Sequence, residues 1–295
     1  MTVHRDIAWA KINLTLEVLG RRPDGFHELR SLVAFAGLGD TVELTPQCGL
    51  DLQVEGPFAA ALDESNLIID AAKAAKAREP DLTLGRFRLV KTLPVAAGLG
   101  GGSADAAAAL RLIGRANPDR LSTEIAAELA PQLGSDVAAC LASEPTLMTG
   151  HGEVLSPVHG FPSCGVLLAN PGRPLATKDV YAALDAEPLA TTSQAPEALN
   201  FSGYFEKFIA FTRAGANDLE PVAVALAPEI QAVLAALNRL EGVRLVRLSG
   251  SGPTCFAVFA KPQEAHRAAG ALAQSEPDWW IASGALGDPK PSDPR

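Results

Sequence analysis

Four glycines and a serine lie directly before a run of alanines in the segment PVAAGLGGGSADAAAAL, residues 94–110. Glycine accepts positive φ and lacks the Cβ that would hold a ligand away from the backbone. From Ser103 onward, Ala106, Leu110 and Ile113 recur with the spacing of one helix face. Glycine-rich backbone that leads into a helix offers unpaired N–H donors and the positive end of a dipole. The segment therefore favours phosphate binding over a tight turn, for which one or two glycines would be enough.

Two familiar phosphate-binding loops do not fit this segment. No Gly-Lys-Ser or Gly-Lys-Thr follows the glycines, so it is not a Walker loop. A dinucleotide-binding fingerprint requires a third glycine where Ser103 stands. Such a fingerprint also opens the first βα unit of its domain, whereas this segment begins only at residue 94. A dinucleotide-dependent oxidoreductase is disfavoured on both grounds.

Three further polar residues could do chemistry, and each has an ordinary structural alternative. Lys11 and Asn13 share one face of an alternating segment, residues 7–19, and could both point into a cleft; Lys11 could equally be a solvated strand residue. Asp136 follows Gly134 and precedes apolar residues at helical spacing, so it could be a general base or an N-cap.

Composition limits the classes of protein to consider. The chain has 295 residues, 47% of them hydrophobic, and a net charge of −9. This balance is typical of a globular protein with two domains, and it argues against nucleic-acid and anionic membrane partners. No apolar run or signal segment stands out, and the four cysteines are widely spaced. We expect a cytoplasmic protein with reduced thiols.

Periodicity predicts a mixture of strands and helices in the first half. Residues 7–19 predict a half-buried strand, Pro23-Asp24-Gly25 a turn, and residues 29–35 a second strand. Gly39-Asp40 predicts a turn into the further strand TVEL. Later elements are a helix from 67 to 78 capped by Asn66, a strand at 86–93, the alanine helix stopped by Pro118, and a helix over 123–133 that ends at Gly134.

The second half predicts an α+β arrangement. A buried strand in CGVLLANPG precedes a helix at 177–185 and a surface loop at 186–203. A helix from Pro228 to Leu240, a strand, the SGSGP turn, a strand, a helix from Pro262 and a final strand follow. This order resembles half of a ferredoxin-like sandwich. The proline-rich residues 287–295 predict a disordered tail.

The glycine segment at 94–110 resembles the phosphate loop of the GHMP kinases, and VRLSGSGPTCFAVF resembles their C-terminal glycine motif. The segment WAKINLTLEVLGRRPDGFHELRSL, residues 9–32, is similar to the opening signature of one narrower family, the 4-diphosphocytidyl-2-C-methyl-D-erythritol kinases. Further similar segments, in that family's order, are SNLIIDAA, GSDVAACL, GHGEVL, TKDVYAALD and NDLEPVA. The resemblance covers residues 7 to 285.

The resemblance implies a fold and an activity. The fold is α+β in two domains: an ATP-binding N-terminal mixed α/β domain at 1–157 and a ferredoxin-like C-terminal domain at 158–286. The implied activity is ATP-dependent phosphorylation of the C2 hydroxyl of 4-diphosphocytidyl-2-C-methyl-D-erythritol, in the non-mevalonate isoprenoid pathway. ATP and Mg²⁺ are the implied cofactors, with no nucleic-acid or membrane partner and a monomer or homodimer.

The resemblance also implies the roles of particular residues. The implied catalytic residues are Lys11, the cation near the acceptor hydroxyl and the γ-phosphate, and Asp136, the general base. The implied ATP-binding residues are Asn66, Pro94, Val95, Ala96, Ala97, Gly98, Leu99, Gly100, Gly101, Gly102, Ser103 and Ala104. The implied substrate-binding residues are Asn13, Phe26, His27, Thr177 and Tyr181, with Phe26 and Tyr181 stacking on cytosine and His27 bonding its edge. The metal ligands are not assigned.

Two positions depart from that family's pattern. Phe26 stands where tyrosine is frequent, so the stacking face is retained but a phenol is lost. Ala104 stands where serine is frequent, and Asp105 in the first helical turn would repel phosphate unless it turns away or faces a metal. The alternatives are a mevalonate or homoserine kinase and a ligand-binding sensor without catalysis. The GLGGG glycines and the DGFHEL segment argue against the first, and the presence of Lys11 and Asp136 argues against the second.

Overall fold

The structure is a computed structural model that describes residues 2–62, 65–189, 198–287 and 289. Its strands are β1 (His4–Asn13), β2 (Glu17–Arg21), β3 (His27–Pro46), β4 (Asp51–Glu55), β5 (Gly85–Val90), β6 (Thr146–Gly150), β7 (Val154–His159), β8 (Cys164–Asn170), β9 (Leu199–Asn200), β10 (Leu245–Leu248), β11 (Cys255–Phe259) and β12 (Trp280–Gly287). Its α-helices are α1 (Leu67–Arg78), α2 (Gly101–Ala116), α3 (Thr123–Leu133), α4 (Val137–Ala142), α5 (Thr177–Ala183), α6 (Phe205–Ala214), α7 (Glu220–Leu226), α8 (Glu229–Asn238) and α9 (Pro262–Ser275).

The chain divides into two compact units, each made of several segments. The first unit comprises Met1–Ala10, Gly39–Val95 and Gly100–Ala142. The second comprises Lys11–Leu38, Ala96–Leu99 and Ser143–Arg295. The predicted domain boundaries at 157 and 286 stay a prediction. None of the helices in the described residues combines the length and apolar character of a membrane span.

In the first unit, helices pack around α2 beside a small sheet. Strand β5 pairs antiparallel with residues 41–46 of β3 and parallel with β4. Helix α2 contacts α1, α3 and α4, and residues 104–110 of α2 are fully buried. Small alanine side chains permit this close packing of several helices on one. As predicted, α1 is capped by Asn66, whose Oδ1 accepts the Ile68 N–H at 2.9 Å.

In the second unit, an antiparallel sheet in the order β10-β11-β8-β12 carries α8 and α9. Strands β8 and β11 are buried at every residue, as the predicted hydrophobic runs require. Residues 29–33 of β3 pair with β6, which pairs with β7. The helix, strand, turn, strand, helix, strand order from residue 228 is therefore confirmed, within one residue or two at each end.

Two predictions about the N-terminal strands are wrong. Residues 7–19 form no single half-buried strand, because β1 ends at Asn13 and β2 begins at Glu17, and the polar residues Lys11, Asn13 and Thr15 are as buried as their apolar neighbours. Gly39 is no turn either, because β3 runs unbroken from 27 to 46. A Cβ at Gly39 would lie 2.2 Å from the carbonyl oxygen of Ala8, so glycine is required for close approach of the β1 backbone.

Two predicted segments fall partly or wholly outside the described residues. The structure describes 186–189 and 198–203 of the predicted surface loop but not 190–197. Of the predicted tail, only residues 287 and 289 are described.

Candidate active site

Lys11 and Asn13 lie at the end of β1, within the second unit, and their side chains are joined. Lys11 Nζ donates to Asn13 Oδ1 at 3.0 Å, and Asn13 Nδ2 donates to Ser31 Oγ at 2.8 Å. Both residues are at most 5% exposed. A buried ammonium needs polar partners, so this is a fixed cation and not the solvated strand residue that the sequence left open.

The SGSGP turn between β10 and β11 meets both Asn13 and the glycine-rich segment. Ser249 Oγ donates to the carbonyl oxygen of Gly98 at 2.9 Å and accepts from the Asn13 N–H at 3.3 Å. The Lys11 N–H donates to the carbonyl oxygen of Leu99 at 2.9 Å. Asn217 Nδ2 supports the turn by donating to the carbonyl oxygens of Leu248 and Gly250. Lys11, Asn13 and residues 98–99 therefore form one hydrogen-bonded cluster.

Gly98 is required at its position by two features of the backbone. Its φ is +72°, and an added Cβ would lie 2.2 Å from the carbonyl oxygen of Ser249. Gly250 has φ +55°, with Asn13 Oδ1 and the Gly98 carbonyl oxygen each 3.2 Å from its Cβ position. The two glycine segments approach each other more closely than side chains allow.

The aromatic residues predicted to read a base lie in the second unit as two ring pairs. Phe26, which is 56% exposed, stacks on His151 with centroids 4.8 Å apart. The His27 and Tyr181 centroids are 4.9 Å apart in a tilted pair. Burial, followed by the charge of Arg21, lowers the pKa of His27, so its imidazole is neutral at pH 7 and offers one donor and one acceptor.

The predicted turn at Pro23-Asp24-Gly25 presents Phe26. Gly25 has φ +90° and donates its N–H to the Arg22 carbonyl oxygen at 3.0 Å. Asp24 Oδ1 accepts the Phe26 N–H at 3.1 Å. Since the turn is closed by its own hydrogen bonds, Phe26 is held out toward solvent without burying its ring.

Thr177, the first residue of α5, contacts the SGSGP turn. Its Oγ1 lies 2.8 Å from Ser251 Oγ, and Ser251 is 4% exposed. Tyr181 lies one turn further along α5. The i, i+4 spacing places Thr177 and Tyr181 on the same helix face.

In the first unit, the N-terminus of α2 has the features of an anion site. Gly100 precedes the helix with φ +63°, and as a glycine it provides no capping side chain for the first N–H groups. The helix begins at Gly101, two residues before the predicted start. Gly102 is exposed, Gly101 and Ser103 are half-buried, and Ala104 is buried. Leu67 Cδ1, next to Asn66, lies 3.5 Å from a Cβ position on Gly102, so the predicted ATP-binding Asn66 adjoins this helix end.

The remaining predicted loop residues differ in exposure. Pro94 and Ala97 are buried, Val95 is half-buried and Ala96 is exposed. Ala96 has φ +50°, the left-handed region that a residue with a Cβ adopts at a cost.

A buried charge cluster lies under the start of α2. Lys91 Nζ donates to Asp40 Oδ2 at 2.7 Å and to Asp105 Oδ2 at 2.6 Å, and all three residues are at most 2% exposed. Lys91 Nζ is 3.1 Å from the position of a Cβ on Gly101. Asp105 thus faces Lys91, whose ammonium offsets the repulsion expected between this carboxylate and a phosphate.

Asp136 lies immediately before α4, also in the first unit. It is half-buried, and its carbonyl oxygen accepts the Cys140 N–H at 3.0 Å. Gly134, two residues earlier, has φ +155° and brings its Cβ position within 3.8 Å of Ser103 Oγ. The segment that carries Asp136 therefore adjoins the first turn of α2.

Several residues that complete these clusters were not predicted from the sequence: Ser31, Asp40, Lys91, His151, Asn217, Ser249 and Ser251. Five of them, namely Ser31, His151, Asn217, Ser249 and Ser251, stand in segments that resemble the family: WAKINLTLEVLGRRPDGFHELRSL, GHGEVL, NDLEPVA and VRLSGSGPTCFAVF. Lys91 and Asp40 carried no local signal, since single charges on strands are ordinary surface residues.

Among the described residues, no three His, Cys, Asp or Glu side chains are grouped as a metal site requires. Asp105 is the one acidic residue in the segment 94–116, and its carboxylate faces Lys91. Protein carboxylates at this helix end therefore do not fit a dedicated Mg²⁺ cage.

Comparison with known proteins agrees with both halves of the chain. Residues 66–144 match the GHMP kinases N terminal domain family, and residues 205–278 match the GHMP kinases C terminal family. A 4-diphosphocytidyl-2-C-methyl-D-erythritol kinase of Rhodopseudomonas palustris is 47% identical, over 96% of this chain and 97% of that protein.

Solved structures agree as well. A crystal structure of a 4-(cytidine 5'-diphospho)-2C-methyl-D-erythritol kinase is 32% identical with a TM-score of 0.77, covering 96% of this chain and 99% of that one. A homoserine kinase of Cytophaga hutchinsonii has a TM-score of 0.70 at 16% identity, covering 98% and 96%. At 16% identity, the homoserine kinase shows the fold alone. The Rhodopseudomonas palustris protein and the 32% identical crystal structure show the narrower family. The chain belongs to the 4-diphosphocytidyl-2-C-methyl-D-erythritol kinase family of the GHMP kinases.

Proposed function

We propose that this chain transfers the γ-phosphoryl group of ATP to the C2 hydroxyl of 4-diphosphocytidyl-2-C-methyl-D-erythritol, a step of the non-mevalonate isoprenoid pathway. Its relatives at 47% and 32% identity carry the name of that activity. The observation that carries the proposal is the cluster in which buried Lys11 and Asn13 meet the glycine-rich segment at residues 98–99. A fixed cation beside a phosphate-binding backbone suits phosphoryl transfer, which needs positioning and neutralised charge.

We assign the nucleotide phosphates to residues 94–104. The uncapped N–H groups at the start of α2 would donate to them, and the absence of a Cβ at Gly100–Gly102 leaves room for close approach. Asn66 and Ser103 would add side-chain polar groups. Mg²⁺ is expected to enter with the triphosphate, since it usually keeps phosphate and water ligands. Its role there is to offset charge on the phosphate oxygens.

The acceptor hydroxyl needs a base, and Asp136 is our candidate. A carboxylate that accepts the hydroxyl proton during attack makes the tertiary alcohol a better nucleophile. The ammonium of Lys11 would stabilise charge that develops on the transferred group. Asn13 fixes that ammonium through its 3.0 Å bond and would itself contact the acceptor.

The cytidyl group is assigned to Phe26, His27 and Tyr181. The exposed face of Phe26 and the ring of Tyr181 would stack on the base, and Thr177 would contact the acceptor from the same helix face as Tyr181. A neutral His27, whose pKa is lowered by burial, presents a donor and an acceptor. Those groups complement the N4 amino donor and the ring acceptors of cytosine.

Three broader assignments complete the proposal. Residues 1–157 would form the ATP-binding domain and residues 158–286 the C-terminal domain, ranges that contain the two family matches at 66–144 and 205–278. We propose that the protein acts in the cytoplasm, as a monomer or homodimer.

The test is an ATP-coupled assay with the cytidyl substrate beside mevalonate and homoserine. We expect turnover of the cytidyl compound alone. Asp136→Asn should fold normally yet lower kcat by about 10²- to 10⁴-fold, because an amide cannot take the proton. Lys11→Ala should lower kcat as well. Near-normal kcat in Asp136→Asn would return this residue to the role of helix cap, and turnover of mevalonate would refute the acceptor assignment.

A further inference from the structure

Helix α4, which follows Asp136, is too short to hold its own position. It has six residues, or about 9 Å of length at 1.5 Å per residue. Isolated helices of that length do not persist, and the last carbonyl groups of any helix lack partners within it. Besides the packing of α4 against α2 and α3, the orientation of Asp136 at one end therefore depends on what holds the other end.

Arg111 of α2 supplies that hold. Its Nη1 donates to the carbonyl oxygens of Cys140 at 2.8 Å and Leu141 at 3.3 Å, both in the last turn of α4. A cation at a helix C-terminus is favourable both for the dipole and as a charged donor to the unpaired carbonyls.

Arg111 is itself anchored on β1. Its Nε donates to Asp6 Oδ2 at 2.9 Å, and its Nη2 donates to the Ile7 carbonyl oxygen at 3.2 Å. Its side chain is 20% exposed and that of Asp6 11% exposed. The planar guanidinium thus uses all three nitrogens at fixed angles, which lysine could not reproduce.

We propose that Arg111 is a positioning residue for the reaction: anchored by Asp6, it fixes α4 so that Asp136 meets the acceptor hydroxyl. This inference rests on the proposed function, in which Asp136 is the base. A tilt of α4 by roughly 6° moves its far end by about 1 Å over its 9 Å length. A misplacement of that size can cost about 10²-fold in rate.

The chain offers a matched control in Arg115, one turn further along α2. Arg115 Nη2 donates to the same Asp6 Oδ2 at 2.9 Å, and Nη1 donates to the Arg5 carbonyl oxygen, also at 2.9 Å. No contact of Arg115 with α4 is among its hydrogen bonds and ion pairs in the described residues. Arg115→Met therefore removes an arginine from Asp6 without releasing α4.

The test is steady-state kinetics of Arg111→Met and Arg115→Met on the full chain, with ATP and the cytidyl substrate. We expect Arg111→Met to lower kcat by about 10- to 100-fold with both KM values within about threefold. Arg115→Met should keep kcat within about twofold. Unchanged kcat in Arg111→Met, or an equal loss in Arg115→Met, would overturn the proposal.

A double-mutant cycle with Asp136→Asn separates positioning from general destabilisation. If Arg111 acts through Asp136, Arg111→Met should change the residual kcat of Asp136→Asn by less than about twofold. The same fold-loss in both backgrounds would refute the inference while leaving Asp136 as the base. If Asp136→Asn alone kept normal kcat, the base assignment would fail and the inference with it.

A second variant covers the case in which Arg111→Met does not fold. Arg111→Lys keeps the charge near Asp6 but cannot reach the two α4 carbonyls and the Ile7 carbonyl together. We expect a loss of several-fold in kcat that disappears in the Asp136→Asn background. Full kcat in a folded Arg111→Lys would count against the proposal.

Discussion

Asp105 is the residue whose replacement tests the buried charge cluster. One of its oxygens bonds to Lys91 Nζ at 2.6 Å, while Oδ1 has no hydrogen-bond partner among the described residues and is hidden from solvent. Burial raises the pKa of Asp105 to about 7; Lys91 opposes this shift, and the nearby carboxylate of Asp40 reinforces it. Near pH 7 this carboxyl therefore exchanges its proton in the folded chain.

The sign of the effect on stability follows from that raised pKa. A group that binds its proton more tightly when folded stabilises the fold fully below its unfolded pKa, which is 3.8 for aspartate, and loses that contribution as pH rises through about 7. Each pH unit between the two values is worth about 1.4 kcal/mol. Between pH 5 and pH 8, the contribution of Asp105 to the free energy of unfolding should therefore fall by on the order of 2–3 kcal/mol.

Asp105→Asn removes this titration while keeping a side chain of the same shape and an oxygen that can accept from Lys91. We expect the free energy of unfolding of the variant, relative to the natural chain, to rise by about 2–3 kcal/mol between pH 5 and pH 8. The measurement is urea unfolding of both chains at each pH, followed by tryptophan fluorescence. Ionisable groups far from Asp105 are shared by the two chains, so their titrations cancel in the difference, and the change that remains belongs to Asp105 with its neighbours Lys91 and Asp40.

Asp51→Asn is the control, because Asp51 is 60% exposed and pairs with the exposed Arg86. The difference in the free energy of unfolding between Asp51→Asn and the natural chain should change by less than about 0.5 kcal/mol from pH 5 to pH 8. A flat or falling difference for Asp105→Asn would refute the reasoning, since it would mean that Asp105 stays ionised throughout.

Further predictions concern the glycine-rich segment and the ligand sites. Gly98→Ala should lower stability by more than about 2 kcal/mol, since φ is +72° and the Cβ position lies 2.2 Å from the Ser249 carbonyl oxygen; Gly102→Ala should instead raise it by about 1 kcal/mol. A folded Gly102→Val should lose ATP binding by calorimetry, and retained affinity would mean that this helix end is no phosphate site. Asn66→Asp keeps the cap on Ile68, so urea unfolding should change by less than about 0.5 kcal/mol while the KM for ATP rises; an unchanged KM would leave Asn66 as a cap only. His27→Ala should raise the KM for the cytidyl substrate about ten- to a hundred-fold with little change for ATP, and equal kcat/KM for cytidine and uridine analogues would defeat the base-reading assignment.

Local sequence patterns predicted the elements with an apolar face, a continuous apolar run or a clear cap. Helix α3 and its end at Gly134, the Asn66 cap and the fully buried β8 follow from spacing and capping alone. The long strand β3 did not, because Gly39-Asp40 has the composition of a turn. The glycine is there because the Ala8 carbonyl passes 2.2 Å from its Cβ position, a tertiary fact that no local pattern carries.

Candidate site residues likewise divide into those that residue type predicts and those that only the folded structure reveals. Those in the glycine-rich segment were predictable from residue type, because backbone N–H groups and missing Cβ atoms are their chemistry. Lys11 was not, since an isolated lysine on an alternating strand is ordinarily solvated, and only its burial with Asn13 marks it as fixed. The same holds for Lys91, which the sequence places in an unremarkable strand and the fold surrounds with two carboxylates.

The SGSGP turn shows why a glycine motif alone does not identify a ligand. The turn resembles the C-terminal glycine motif of the GHMP kinases, yet Gly250 is accounted for by the Gly98 carbonyl oxygen, which lies 3.2 Å from its Cβ position. Gly252 has φ +78° and a Cβ position 2.7 Å from Leu248 Cδ1. Both glycines would thus be needed with no ligand at all. What ties the turn to chemistry is Ser249, because one hydroxyl joins the Gly98 carbonyl to the backbone of Asn13, and Asn13 in turn fixes the ammonium of Lys11.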